Sequence, residues 1–130
     1  MRLPNWTSLL HQHIDRHRDV PFGWGSNDCC TFARGAVAAV TGAHLPLPAY
    51  GGRLSAARQL RLAGGLAAAV DRVLPGLPAV TLARRGDVLL LCQAGRHWLA
   101  VCLGHLWAAP GAPGLVFGPA LDAQRAWRVE

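Results

Sequence analysis

The stretch PFGWGSNDCCTFARGAVAAVTG, residues 21–42, sets two adjacent cysteines between a Gly-rich turn and an Ala/Val-rich run. Pro21, Gly23 and Gly25 make residues 19–27 a loop. Asn27 or Asp28 can cap a helix running from about residue 29 to Val40, and Gly42 suits its left-handed end. Cys29 then sits in the first turn, where unpaired N–H groups and the helix dipole favour an anion and so stabilise a thiolate. Cys30 is rotated by about 100° and faces another side. Gly35 and the alanines around it predict close packing against a second element. The doublet admits three readings: small core residues, a metal clip, or one nucleophile held at a helix start.

Upstream, residues 5–18 read as an amphipathic helix capped by Asn5 or Thr7. Trp6, Leu9, Leu10 and Ile14 follow helical spacing, and His11, His13, Asp15, Arg16, His17 and Arg18 form a solvated polar face. Downstream, HLPLPAYGG (44–52) is a Pro/Gly connection. Helices follow over about 54–63 and 66–74, separated by Gly64-Gly65. After PGLP the periodicity changes. Segments 87–92, 98–104, about 105–108, 114–118 and 125–129 read as short strands between Gly and Pro. Helices first and an antiparallel meander second make an α+β fold in one domain, residues 1–130, with N-terminal helices packed on a C-terminal sheet.

The length and the 52% apolar content suit one globular domain. The opening residues MRLPNWTSLLHQHIDRH lack the apolar core of a secretory signal, and no run approaches the ~20 residues of a membrane span. The sequence therefore predicts a soluble protein without an export signal or membrane span. Its net charge of +6 comes from 13 arginines and no lysine. These are scattered, with only Arg84-Arg85 adjacent, so the basic cluster expected of a nucleic-acid interface is missing. The four cysteines do not have disulfide-framework spacing, and Cys92 and Cys102 fall on consecutive strands without evident register. His13-x3-His17 lacks a cysteine pair nearby, so no metal is expected. Reduced thiols and no cofactor are the expectation.

A nucleophilic cysteine needs a base. His97 and His105 flank the strand after GDVLLL, and a sheet packed on the helix could bring one of them to Cys29. On these residues alone, a small buried cysteine in a tight loop is the competing reading.

PFGWG followed by DC resembles the P-Y-x-W-G-G…D-C-S-G motif of the NlpC-type cell-wall cysteine peptidases, a papain-like branch. Gly86-Asp87-Val88-Leu89 and then HWLAVCLG (97–104) are similar to that family's G-D-[LV]-[VL] and H-V-G-[IV]-x-[LI]-G. The chain resembles more closely a family of short phage and prophage tail-cluster proteins. Those proteins share P-F-x-W-G-x-x-D-C, a G-D-V segment and an ending like GLVFGPALDAQRAWRV. That second likeness runs from Pro21 to Val129. Three departures stand out. Phe22 replaces the peptidases' tyrosine, and the loop between Gly25 and Asp28 is shorter. Aligning Val101-Cys102-Leu103-Gly104 puts Trp98 at the histidine's place, so a bulge would be needed to aim His97.

The resemblance implies an NlpC-type fold in a tail-tip or tail-assembly protein that cleaves peptidoglycan stem peptides. Cys29 would be the nucleophile and His97 the base, with His105 as the alternative. Trp24, Asn27 and Asp28 would support them, with Trp24 packed under the loop that presents Cys29. Its partners would be other tail proteins and peptidoglycan, in the virion tail or in the host cytoplasm during assembly. An inactive structural tail subunit with the same fold is the first alternative, and a small basic nucleic-acid-binding domain is the second.

Overall fold

The computed structural model describes residues 1–47 and 51–130, so Pro48, Ala49 and Tyr50 of the Pro/Gly connection lie outside the described residues. Four helices come first: α1 (Trp6–His17), α2 (Cys29–Thr41), α3 (Arg53–Ala63) and α4 (Leu66–Asp71). Five strands follow: β1 (Val88–Gln93), β2 (Arg96–Cys102), β3 (Leu106–Ala109), β4 (Val116–Pro119) and β5 (Arg125–Trp127). The fold is α+β, with helices followed by one antiparallel sheet.

The sheet order is β4-β3-β2-β1-β5. The first four strands form the expected meander, but the last does not continue it. β5 crosses back to pair with the far side of β1, with Val88 opposite Trp127. Trp127 is fully buried, and its indole N–H donates to Asp71 Oδ1 at 2.9 Å. Arg125 makes two further bonds to the same carboxylate, at 2.7 and 3.0 Å, and holds it below the usual carboxylate range. The end of α4 therefore anchors β5 at the β1 edge.

Side-chain alternation divides the sheet into two faces. Val88, Leu90, Leu99, Val101, Ala108 and Trp127 meet the helices in the main core, together with Leu10, Ile14, Phe32 and Val37. Leu89, Leu91, Ala100, Cys102 and Ala126 face the other way, where Leu77, Ala83, Ala120 and Ala123 cover them. With both faces buried, β1 reads as an apolar run rather than an alternating one.

The polar face expected on α1 is interrupted by His13, which is 3% exposed, and by His17, which is half-buried. His13 lies at helical spacing from Leu10 and Ile14 and turns with them toward α2. There it stacks on Phe32 at 4.9 Å, and its Nε2–H donates to the Phe32 carbonyl at 3.0 Å. The space for the ring exists because residue 35 is glycine: a Cβ there would run into His13 Cε1 and lie 3.1 Å from Nδ1. Gly35 thus makes the close packing foreseen for it, and its partner is a histidine.

A second buried polar group ties the ends of the chain to the sheet. The Asp87 carboxylate has no solvent exposure. It accepts from Arg2 at 3.0 Å, from Val129 N–H at 2.9 Å and from Arg84 N–H at 2.8 Å. The Arg128 guanidinium stands 3.6 Å away. Gly86, at φ +95°, makes the turn into this residue, and a Cβ there would lie 3.1 Å from the Arg2 guanidinium.

Two outcomes test these anchors. Asp87→Ala removes an acceptor from the half-buried Arg2 and from two backbone N–H groups, and should lower unfolding free energy by about 3 kcal/mol in urea titrations. Burial, reinforced by the neighbouring His17, pushes His13 from the ordinary 6.5 down to about 4. The folded state therefore resists protonation that the unfolded chain accepts. Stability is full above pH 6.5 and falls as pH drops toward 4. Between pH 7 and pH 4.5 the protein should lose roughly 2–3 kcal/mol more than His13→Leu does.

Candidate functional site

The site begins with a loop closed by backbone bonds. Gly23 and Asn27 exchange N–H···O contacts of 3.2 and 2.8 Å, and Gly25 supplies a positive φ of 78° between them. Asn27 Nδ2 donates to the carbonyls of Val20 and Pro21 at 3.1 and 3.2 Å, which fastens the loop to its own entry. Phe22 N–H bonds to the Gly111 carbonyl at 2.7 Å and joins the loop to the segment after β3.

Asp28 converts this loop into a helix start. Its side chain is fully buried, and Oδ1 accepts from Thr31 N–H at 2.9 Å while Oδ2 accepts from Gly25 N–H at 2.8 Å. Thr31 Oγ1 returns the contact by accepting from Asp28 N–H at 2.9 Å. This reciprocal capping box resolves the choice between Asn27 and Asp28: Asp28 caps the helix, and Asn27 braces the loop. Asp-x-x-Thr was visible in the sequence as a cap signal, although Thr31 was not among the expected site residues. At the other end, Gly42 adopts φ +79° as the sequence predicts.

Cys29 is therefore the first residue of α2, half-buried, while Cys30 is fully buried in the core. None of the four thiols forms a disulfide. Cys92 pairs across β1–β2 with His97, and Cys102 pairs with Trp107 of β3, so those two thiols lie at opposite ends of the sheet.

β2 pairs with β1 without interruption from Arg96 to Val101. No bulge is present, and none is needed. Leu99 and Val101 face the helices, so alternation puts His97 on that side, while Trp98 packs with the opposite face. Strand parity thus turns His97, and not Trp98, toward the helices. Cys29 meets the backbone of Leu99, and His97 is two residues earlier on the same face, about 6–7 Å along the strand.

Cys29 and His97 line one cavity of about 450 Å³. Phe22 and Trp24 come to it from the loop, Leu60 and Leu66 from α3 and α4, Arg96 and Trp98 from β2, and Pro110 from the end of β3. Trp24 does not lie beneath the loop as expected. It is 43% exposed and stands edge-on to Phe22, ring centres 4.9 Å apart.

His105 is not brought to Cys29. It occupies the turn after β2, at the far end of the strand, and lines a different cavity with Cys102 and Ala120. Continuing the β2–β3 register from Val101↔Ala108 puts residues 110–112 beside the start of β2. Pro110, Gly111 and Ala112 have no side-chain acceptor with which to orient an imidazole.

Electrostatically, the neighbours of Cys29 oppose the helix start. Hydrogen bonding with Cys30 and burial push the Cys29 thiol well above its ordinary value, and the Asp28 charge adds to this. A backbone hydrogen bond with Leu99 pulls the other way without reversing it. Cys30 and burial thus work against the thiolate that the helix start favours.

Comparison with known families bears on this same geometry. The chain belongs to DUF6950. That family is described as a domain of unknown function, and its model matches residues 1–129. No curated protein matches the sequence. The matched span in this DUF6950 chain includes the Asp28 cap, the cavity and the Asp87 anchor. Asp28→Ala should cost about 2–3 kcal/mol and accelerate amide exchange at Gly25 and Thr31, because both N–H groups lose their acceptor.

Proposed function

We propose that this protein is a phage tail-tip or tail-assembly protein with an NlpC-type fold that hydrolyses an amide bond through Cys29 and His97. The observation that supports this most is that a helix-start cysteine and a strand histidine, far apart in sequence, line the same cavity. In this reading the Cys29 thiol attacks the carbonyl as His97 takes its proton, and the imidazolium then protonates the leaving amine; water, giving a proton to His97, next cleaves the thioester, releasing the acid and restoring the Cys29 thiol. The Cys29 N–H at the head of α2 donates to the developing oxyanion. The resemblance to cell-wall peptidases makes peptidoglycan stem peptides the substrate.

A second reading is favoured by the raised Cys29 thiol and by apolar groups at the surface. Val116 and Phe117, on the edge strand β4, are 44% and 38% exposed, and Leu106 on β3 is 47% exposed. In that reading the same fold is an inactive tail subunit that docks on larger neighbours. No helix among the described residues is long and apolar enough to cross a membrane.

Purified protein incubated with stem-peptide fragments, followed by mass spectrometry, separates the two. Hydrolysis should fall at least about 100-fold in Cys29→Ala and in His97→Ala, and stay within about twofold in His105→Ala. Absence of cleavage, with Cys29 alkylation indifferent to His97→Ala, would establish the structural subunit instead.

A further inference from the structure

The cavity over Cys29 has apolar and aromatic walls, and among its described lining residues the one permanent charge is Arg96. The arginines near Asp87 and Asp71 are committed to carboxylates: Arg2 to Asp87, and Arg125 to Asp71. Arg84 likewise pairs with Glu130 at 2.8 Å, and Arg18 with Asp15 at 3.1 Å. Among the described residues, no carboxylate or carbonyl accepts from the Arg96 guanidinium. It precedes His97 directly on β2 and is exposed at the rim. Asp28, the acidic group nearest the nucleophile, is fully buried and already accepts from Gly25 and Thr31.

A guanidinium at the mouth of an apolar cavity favours one kind of occupant. The apolar part is received between Phe22, Trp24, Leu60 and Leu66, and a carboxylate on the same molecule meets Arg96. We propose that Arg96 is the specificity-determining residue of the cavity and selects a peptide bearing a carboxylate beside an apolar group. This deepens the Cys29–His97 reading, since it concerns which molecule is brought to that thiol.

The test uses two reagents of nearly the same size and opposite suitability. Iodoacetate carries a carboxylate and iodoacetamide is neutral, and both alkylate the same sulfur. The quantity read is the ratio of their rate constants at Cys29, measured at pH 9.5 on the full chain and assigned by peptide mass spectrometry. Intrinsic thiol reactivity cancels in this ratio.

Arg96→Gln should lower the iodoacetate-to-iodoacetamide ratio about fivefold, and Arg96→Glu further, while Arg96→Lys keeps it within about twofold. Raising salt to about 1 M should shrink the wild-type preference. A ratio unchanged in Arg96→Gln and Arg96→Glu overturns the proposal. So does failure of Cys29 to react with either reagent, because the cavity is then closed to ligands. Arg96 is exposed in the β1–β2 hairpin, and unchanged melting temperatures verify that the variants fold. The outcomes are separable from those of the hydrolase reading. An Arg96-dependent ratio without hydrolysis refutes the enzyme and supports the selector. Hydrolysis with an Arg96-independent ratio does the reverse.

Discussion

A carboxylate removed from water must be met by donors, and Asp87 is met from every part of the chain that ends near it. Arg2 reaches it from the N-terminal segment, Val129 from the C-terminal one and Arg84 from the preceding turn. Its own carbonyl accepts from Cys102 N–H at 2.8 Å. That last bond carries the anchor into the sheet. It pins the end of β2 against the start of β1, and with the register fixed there, the whole strand has only one parity available. His97 turns toward the helices for this reason, five residues from the bond that decides it.

The same logic governs the other side of the cavity. Asp28 is as deeply buried as Asp87 and is satisfied by local groups, two backbone N–H donors within three residues. A buried carboxylate with short-range partners fixes the angle at which a helix leaves a loop, and hence where its first side chain points. Cys29 and His97 are therefore aimed by two unrelated buried acids, one acting locally and one through a sheet register. The chemistry between them is constrained by what burial costs. The surroundings that position the thiol also push its ionisation upward.

Much of this was legible in the sequence, and the limits are physical. The second helix could be bounded from its cap and its glycine because both signals act within a few residues. The change from helical to strand periodicity placed the sheet correctly in the second half. Burial of His13 was not readable, because the space it fills is made by Gly35 on another helix; only the glycine's demand for a close neighbour was visible. β5 beside β1 was missed because three residues of strand carry no information about which edge they will pair with. Asp71, which holds that strand in place through Arg125 and Trp127, belongs to a helix more than fifty residues earlier. Trp24 was assigned to packing because tryptophan usually packs, and nothing local distinguishes a ring that lines a cavity from one that fills it. The aim of His97 hung on a single residue of register, which alignment of a short motif decides poorly and a continuous ladder decides outright.

The bond from Arg2 Nε to the Val129 carbonyl, 2.9 Å long, means that the first and last turns of the described chain lie side by side. Between Arg2 and Val129 the described chain is close to a ring cut at one point. A short linker across that cut would let the chain be reopened elsewhere, for instance at Gly64-Gly65 between α3 and α4, in a circularly permuted order with the same core. It also means that this domain, spliced into a loop of a larger protein, would enter and leave through one doorway and disturb its host no more than a hairpin does.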